Sequence, residues 1–193
     1  MGHWERSPLG PFTDVMWARP GGERVLLVPT EAAGRLVGAV YVFDRVEVVS
    51  VAAAWSGAEL SVDAGDVALR LRAGPGWRVP LPAWRPAWVT RWVEGPVARA
   101  LLGVRTYGVS PTGVREWYRA GTYRPLVAAQ ASVAGRDLGP LRRRWERAGF
   151  GFSEPPRSSA TVRVRPLLHD PAGRLDRVLA AYPVGEGRGS PAP

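Results

Sequence analysis

The sequence of 193 residues contains no cysteine. Residue type therefore excludes disulfides, thiolate metal sites, iron–sulfur clusters and cysteine nucleophiles. Lysine is absent as well, because all 26 basic residues are arginine. This second absence excludes a Schiff-base lysine, a phosphate-loop lysine and a Ser–Lys catalytic pair. Carboxyl, hydroxyl, imidazole and guanidinium groups are the chemistry that remains.

Histidine is scarce, and short nucleotide-binding motifs are missing. The chain holds 2 histidines, His3 and His169, which form no closely spaced ligand pair, so we expect no metal site. Asp170-Pro171 follows His169 and is typical of a turn, which favours a structural role for this histidine over catalysis. No glycine-rich phosphate loop occurs, and Gly108–Gly113 is one residue too long for a Gly-x-Ser-x-Gly elbow. We expect no cofactor.

Long hydrophobic runs are missing too. A membrane-spanning helix needs about 20 consecutive apolar residues, and no stretch of the sequence approaches that length. The segment Met1–Arg6 lacks the basic start and apolar core of a secretory signal. We therefore expect a cytoplasmic protein with no membrane partner.

The charge balance is strongly basic, with a formal net charge of +9. Such a charge attracts polyanions such as nucleic acid. The arginines are spread from Arg6 to Arg188, and their one tight run is Arg142–Arg144 with Arg147. This spread favours a diffuse positive surface over a dedicated basic stripe. Abundant Arg, Ala, Gly, Pro and Val also favour a G+C-rich genome as the source of the bias.

The apolar patterning predicts a mainly β (α+β) fold, an antiparallel β-barrel or curved sandwich with two or three short helices. Residues 24–29 (RVLLVP) predict a strand, and residues 37–72 show a closely spaced β pattern without room for crossover helices. We predict an N-terminal arm over 1–23, ordered in part, a single domain over 24–184, which fits one hydrophobic core, and a disordered tail over 185–193.

Local signals predict the remaining elements. They are a helix from Thr30 to Val37 capped by Thr30; a helix or strand over 87–94; a helix from Pro96 to Leu102 ended by Gly103; a hairpin over Thr106–Tyr118 with its turn at Ser110–Gly113; strands over 124–134 and 160–168; and a short basic helix over 138–148.

The 9 tryptophans are many for this length, and four of them alternate with arginine between Trp77 and Trp92. Aromatic rings beside guanidinium groups stack bases and neutralise phosphates, or line a cavity for an apolar ligand with an anionic end. They also simply fill a small barrel, with arginine packed over the rings. The ligand-binding candidates are Trp88, Trp92, Arg115 and Trp117.

A carboxyl group on the predicted hairpin is the candidate for catalysis. In an extended strand Glu116 and Tyr118 share one face, whereas Arg115 and Trp117 share the other. If Glu116 points inward it needs a partner and marks a site. The rarity of buried carboxylates favours the outward orientation. Glu47 raises the same question, so the catalytic candidates are Glu116, Tyr118 and Glu47.

Three segments carry a resemblance across most of the chain: SPLGPFTDVMW (7–17), VYVFDRVEVV (40–49) and GVREWYRAGTYRPLVAAQASVAGRDLG (113–139). Together they resemble a family of uncharacterised proteins of G+C-rich bacteria with no known activity, which implies one domain and no mechanism. The order of elements is also similar to the acetoacetate decarboxylase-like β fold. The Schiff-base lysine of that family has no counterpart here, so its reaction is not implied.

Three functions remain open. The residues favour binding of a small apolar or anionic ligand in a pocket lined by tryptophan and arginine, and thus a binding protein over an enzyme. A nucleic-acid-binding module is the first alternative. A cofactor-free isomerase, cyclase or lyase that uses a pocket carboxylate is the second. No oligomeric state is predicted.

Overall fold

The computed structural model describes residues 1–82, 84–142, 147–156 and 158–182. Strands make up 42% of these residues and helices 19%, which confirms the predicted mainly β class. The strands form two sheets. Among the described strands the pairing closes no barrel.

The first sheet has four strands in the order β1-β2-β3-β4. They are β1 (Gly2–Trp4), β2 (Phe12–Ala18), β3 (Arg24–Val28) and β4 (Arg45–Val48). The first three pair antiparallel, whereas β3 and β4 pair parallel. Residues 1–23, expected to form an arm, thus supply two strands. Burial explains the difference, because Val15 of β2 packs into the shared core and β1 pairs with β2.

One helix, α1 (Glu31–Val40), connects β3 to β4. Thr30 caps it as predicted, since its Oγ1 accepts a hydrogen bond of 3.2 Å from the Ala33 amide. The strand expected from Val37 onward is wrong, and so is the antiparallel layout at this point. Leu36, Val37 and Val40 continue the buried face of the helix, so the 3.6-residue period extends three residues further.

The second sheet is built around one long strand. Its elements are β5 (Val51–Ser56), β6 (Glu59–Ala64), β7 (Val67–Ala73), β8 (Trp77–Arg78), β9 (Tyr107–Val109), β10 (Arg115–Val133), β11 (Arg136–Asp137) and β12 (Ala160–His169). The antiparallel meander predicted here is confirmed for β5, β6 and β7. All of β7, β8, β9, β11 and β12 pair with β10. The hairpin and the late strand are confirmed.

Both sheets share one hydrophobic core. Val15, Val25 and Leu27 of the first sheet meet Leu60 and Val62 of the second. On its other face β3 packs against α1. Because β3 is buried on both faces, its sequence is continuously apolar and does not alternate.

The remaining helices are α2 (Ala87–Val89), a π-helical turn (Thr90–Glu94), α3 (Gly95–Leu102) and α4 (Arg174–Ala181). Residues 87–94 are therefore helical, and the predicted helix up to Leu102 is confirmed. Gly103 ends it with a φ of +70°, which a residue without a side chain adopts at low cost. The basic helix expected over 138–148 is absent from its described parts, and residues 143–146 lie outside the described residues, as does the tail 185–193.

Candidate functional site

Glu116 lies at the start of β10 and is 0% exposed. The outward orientation of Glu116, which the sequence favours, is therefore wrong. The alternation places Glu116 on the same face as Val114, which is also 0% exposed, so the apolar side chain and the packing beneath it decide which face turns inward. The hairpin turn is tied to the end of α1 by Thr112, whose Oγ1 donates to the Val40 carbonyl at 3.1 Å.

Two tyrosines converge on one oxygen of this carboxyl group. The Tyr118 hydroxyl donates to Glu116 Oε2 at 2.9 Å, and the Tyr41 hydroxyl lies 3.3 Å from the same oxygen. The two hydroxyls also contact each other. A tyrosine has one hydroxyl proton, so Tyr41 donates either to Glu116 or to Tyr118. Glu116 Oε1 has no hydrogen-bond partner among the described residues.

An aromatic segment covers the two tyrosines. We call residues 148–154 the cover segment. Phe152 packs edge-on against the Tyr118 ring, with centroids 5.1 Å apart. The Val42 amide donates to the Phe150 carbonyl at 2.8 Å, which fixes the segment beside Tyr41. The approach is so close that a Cβ at Gly151 would lie 2.8 Å from the Tyr41 ring, so the glycine permits the closure.

The cover segment is also held by its own acid. The amides of Ala148 and Gly149 donate to the two carboxylate oxygens of Glu154, at 2.8 and 3.0 Å. Arg24 donates from Nη1 to the Gly149 carbonyl at 3.0 Å. A glycine also makes room on the opposite strand, because a Cβ at Gly108 would overlap the Phe152 ring. The cover segment thus packs on the two tyrosines that contact Glu116, and it is held mainly through hydrogen bonds.

Burial sets the protonation of this centre. It raises the pKa of Glu116 from 4.5 to about 7, although the hydrogen bonds from Tyr118 and Tyr41 oppose the rise. Burial likewise raises the pKa of Tyr41 and of Tyr118, and the nearby Glu116 charge adds to both effects. Both hydroxyls therefore keep their protons near neutral pH. Glu116 alone exchanges a proton with its surroundings in that range.

A second buried carboxyl group lies in the first sheet. Asp14 is 0% exposed and accepts a hydrogen bond of 2.7 Å from the Trp4 indole and one of 3.2 Å from the Gly2 amide. Burial raises the pKa of Asp14. Both oxygens have donors, so this carboxyl group ties β1 to β2 and has no free atom for chemistry.

Glu47 is placed differently from Glu116. Its side chain is 32% exposed and forms ion pairs with Arg45 Nη2 at 2.7 Å and Arg19 Nη2 at 3.6 Å. It lines a cavity of about 190 Å³ together with Trp17 and Arg19. The structure does not bring this third catalytic candidate into contact with the other two.

Of the predicted ligand-binding residues, Arg115 and Trp117 alternate with Glu116 along β10 and so lie on its opposite face. Trp88 and Trp92 are 61% and 65% exposed on α2 and the π-helical turn. Trp117 packs against Tyr107, with centroids 5.1 Å apart. Arg115 is exposed. Neither the cavity at Glu47 nor the groove over β6, β7 and β10 is lined by any of these four residues.

Sequence reasoning missed a buried ion pair beneath the helical segment. Arg85 and Glu94 are 2% and 8% exposed and contact each other through Nε and Oε1. Arg85 also donates to the Pro82 carbonyl at 3.1 Å and to the Ala120 carbonyl at 2.9 Å. Burial lowers the pKa of Arg85, and the charge of Arg119 adds to the effect. A π-helical turn often marks a functional position, and this one carries Glu94.

Two residues of the Glu116 centre were also missed, Tyr41 and Phe152. Tyr41 was assigned to a strand and carried no site signal, while Phe152 lies in a stretch without apolar periodicity. Only the fold brings them to the hairpin. The alternation of Val114, Glu116 and Tyr118 is the one sequence signal that pointed here.

Among the described residues no group of three or more His, Cys, Asp or Glu side chains is arranged to hold a metal ion. Within the same residues no helix is long and apolar enough to cross a membrane. A comparison with models of known protein families, one with curated proteins and one with solved structures found no match. The two resemblances drawn from the sequence therefore stay predictions.

Proposed function

We propose that this chain is a cofactor-free enzyme of the isomerase or lyase class that moves a proton on a small carbonyl compound at Glu116. One observation carries the proposal. Glu116 is fully buried, with Oε2 bound by Tyr118 and Oε1 without a partner among the described residues. A buried polar atom left without a partner costs free energy, and a substrate that binds Oε1 would offset that cost.

The pKa of Glu116 supports a role as general base and acid. A carboxyl group that titrates at about 7 accepts and returns a proton near neutral pH, the range in which general acid–base catalysis is most effective. In the proposed reaction Oε1 takes the proton from the carbon beside the carbonyl group. The electron pair of the broken C–H bond moves toward the carbonyl oxygen and forms an enolate.

Tyr41 is the proposed donor to the enolate oxygen. Tyr118 already supplies the hydrogen bond that orients Glu116, so the Tyr41 hydroxyl can exchange its bond to Glu116 or Tyr118 for one to a substrate oxygen. A hydroxyl group with a raised pKa stays protonated, and in a site without water its hydrogen bond stabilises developing negative charge strongly. With an unsaturated ketone the enolate is conjugated to the C=C bond, and it takes the proton back from Glu116 at the far carbon of that bond, which completes an isomerisation. In an elimination the electron pair of the enolate expels a leaving group from the β carbon, and that group takes the proton from Glu116.

Entry to this centre requires the cover segment to move. Its contacts with the tyrosines are aromatic, and its backbone is held by Glu154 and by Arg24. Such local openings occur at a free-energy cost well below that of global unfolding. The scaffold of this proposal is a curved sandwich, one of the two architectures that the sequence predicts, with one parallel strand pair, β3 and β4. The core that both sheets share supports it.

Two observations support this function over the pocket binder. The cavity of about 190 Å³ at Glu47 lies below the range of about 300–1,000 Å³ that is usual for ligand pockets. The groove of about 350 Å³ over β6, β7 and β10 lies within that range, but none of the four tryptophan and arginine candidates lines it.

The test is exchange of carbon-bound protons for deuterium. The protein is incubated in D₂O with a panel of small ketones, aldehydes and 1,3-dicarbonyl compounds, and loss of C–H signals is followed by NMR. We expect accelerated exchange for at least one compound. Glu116→Gln should lower the rate by a factor of about 100 or more, the usual contribution of a general base.

Glu47→Gln is the matched control, because it removes a carboxylate from a different part of the surface and should leave exchange unchanged. Tyr41→Phe should reduce the rate and leave the Glu116 hydrogen bond to Tyr118 in place. Equal exchange rates for the parent chain and Glu116→Gln would contradict the proposal.

A further inference from the structure

The segment over residues 84–102, which contains α2, the π-helical turn and α3, buries polar side chains and exposes apolar ones, the reverse of an ordinary surface helix. Its buried side chains are polar, namely Arg85, Thr90 and Glu94 at 2%, 0% and 8% exposure. Its exposed side chains are large and apolar: Trp84 78%, Trp88 61%, Trp92 65%, Val93 47%, Val97 53% and Leu101 75%. A helix on a water-facing domain normally shows the opposite distribution.

Polar contacts hold this segment in place, so its apolar surface is not left over from poor packing. Arg85 is bound to Glu94 and to the Ala120 carbonyl of β10. The Thr106 hydroxyl donates to the Thr90 carbonyl at 2.7 Å. The segment therefore has a specific attachment to β10, and that attachment directs the tryptophans outward.

The charge around these residues has one sign. Residues 74–115 contain Glu94 as their one acid, and that carboxylate is buried against Arg85. The exposed ionisable groups of the stretch are therefore all cationic. They are Arg78, Arg91, Arg99, Arg105 and Arg115. Arg91 lies on the π-helical turn and Arg99 on α3, and the Arg91 guanidinium group lies 4.8 Å from the centroid of the Trp92 ring. Large apolar side chains and guanidinium groups thus occupy the same helices.

We propose that this surface, the Trp–Arg face, binds to an anionic lipid surface. We define it as the six exposed apolar residues of 84–102 together with Arg91 and Arg99 on the same helices. Tryptophan favours the boundary between headgroups and acyl chains, and an amphipathic helix binds there by its apolar side with cations on the phosphates. The proposed binding attaches the protein to one leaflet and does not cross the bilayer. The proposal departs from the sequence expectation of no membrane partner.

The aliphatic residues distinguish a lipid surface from nucleic acid. Single-stranded nucleic acid stacks its bases on aromatic rings and places phosphates on arginine. That mode gives no role to Val93, Val97 and Leu101, which are exposed on the same segment. The acyl boundary of a bilayer takes up aliphatic and aromatic side chains alike. Charge and side-chain type together therefore favour lipid.

The experiment is co-sedimentation of the full chain with vesicles of phosphatidylcholine alone and of phosphatidylcholine mixed with phosphatidylglycerol. We expect binding to the mixed vesicles, weakened by salt. The double variant Trp88→Ser, Trp92→Ser should bind at least about tenfold more weakly, because it removes apolar area from the boundary. Both positions are exposed, so the fold should persist, which far-UV circular dichroism checks.

Matched controls use the same residue types elsewhere. Trp55 is 49% exposed on β5, and Trp55→Ser should leave vesicle binding unchanged. Arg99→Gln should weaken binding to the mixed vesicles about fivefold, the usual contribution of one arginine near an anionic surface. Arg35→Gln, at an exposed position on α1, should have no such effect.

Three results would overturn the proposal. The first is no binding to either vesicle. The second is binding that the double tryptophan variant does not change. The third is that this variant abolishes binding to a single-stranded oligonucleotide, or dissociates a dimer in analytical ultracentrifugation, while the parent chain ignores vesicles. A failure of deuterium exchange at Glu116 leaves these measurements unaffected, so the two proposals stand or fall separately.

Discussion

Two buried glutamates flank the first half of β10 and are compensated in different ways. Glu94 meets the guanidinium group of Arg85, which lies near Arg119 on one face of the strand. Glu116 lies on the other face and meets only the hydroxyls of Tyr118 and Tyr41. A guanidinium group offsets the full charge of a carboxylate, whereas neutral hydroxyls stabilise it in part. Glu94 is thus a fixed anchor, and Glu116 is a group that exchanges a proton.

The largest expected effect comes from breaking the compensated pair. Arg85→Met leaves Glu94 buried without its cation, and we expect a loss of about 3–5 kcal/mol in the free energy of unfolding, as for other broken buried pairs. Urea unfolding at neutral pH measures it. Arg85→Met combined with Glu94→Leu should recover most of the loss, because no uncompensated charge remains. A loss well below about 3 kcal/mol for Arg85→Met alone would mean that Glu94 does not depend on the Arg85 charge, and the contrast with Glu116 would not hold.

The second prediction concerns pH and the uncompensated carboxyl group. Folding raises the pKa of Glu116 from 4.5 to about 7, so between these values the folded chain binds more protons than the unfolded chain. Its contribution to stability is therefore full below about pH 4.5 and falls as pH rises to about 7, by up to about 3 kcal/mol in total. Urea unfolding across this range should show the decline.

Glu116→Gln isolates this effect from the other titrating groups. The amide cannot ionise, so the difference in unfolding free energy between the parent chain and the variant should grow in favour of the variant as pH rises through this window. A difference that stays constant with pH would show that Glu116 keeps an ordinary pKa.

A smaller effect is expected when one hydroxyl is removed. Tyr118→Phe deletes the hydrogen bond of 2.9 Å to Glu116 Oε2. Hydrogen bonds to charged groups contribute about 1.5–3 kcal/mol, so we expect a loss near the lower end above the pKa of Glu116 and less below it. Tyr41→Phe, whose hydroxyl is 3.3 Å away, should cost less. Chemical denaturation measures both losses. A larger loss for Tyr41→Phe than for Tyr118→Phe would mean that Tyr41 is the main donor to Glu116.

The smallest expected effect is a gain in stability at Thr90, in the helical segment that carries the Arg85–Glu94 ion pair. Thr90 is 0% exposed, and its Oγ1 has no hydrogen-bond partner among the described residues. Thr90→Val keeps the shape and removes the hydroxyl, so we expect a gain of up to about 1 kcal/mol in thermal unfolding. Thr106→Val is the control. It deletes the bond to the Thr90 carbonyl and should cost about 1 kcal/mol.

Local patterns predicted the parts of the fold that local forces determine. The hairpin at Ser110–Gly113, the cap at Thr30 and the alternation of β7 each depend on neighbouring residues. The proline and glycine content of residues 1–23 predicts an arm, and only pairing with β3 orders β1 and β2. The end of α1 resembles a strand in the sequence because GAVYVF satisfies both periods.

The candidate site likewise has a part that local pattern predicts and a part that only tertiary packing determines. Alternation placed Glu116 with Tyr118, but which face turns inward depends on α1 and the cover segment, which are distant in sequence. Contact between Tyr41 and Glu116 likewise follows from tertiary packing. The alternation of tryptophan and arginine between Trp77 and Trp92 marked this region, but large aromatic residues are usually buried, so only the structure shows that Trp88 and Trp92 are exposed.

The pairing of β10 has a consequence for synthesis of the chain. Residues 1–48 contain all four strands of the first sheet, so these can pair while the rest is still being made. The part of β10 that carries Glu116, residues 115–125, pairs with β12. It obtains this neighbour only when residues 160–169 leave the ribosome. Until then its edge is open to neighbouring chains, and such edges promote aggregation. We therefore expect chaperone dependence to fall sharply once Ala160 to His169 has emerged.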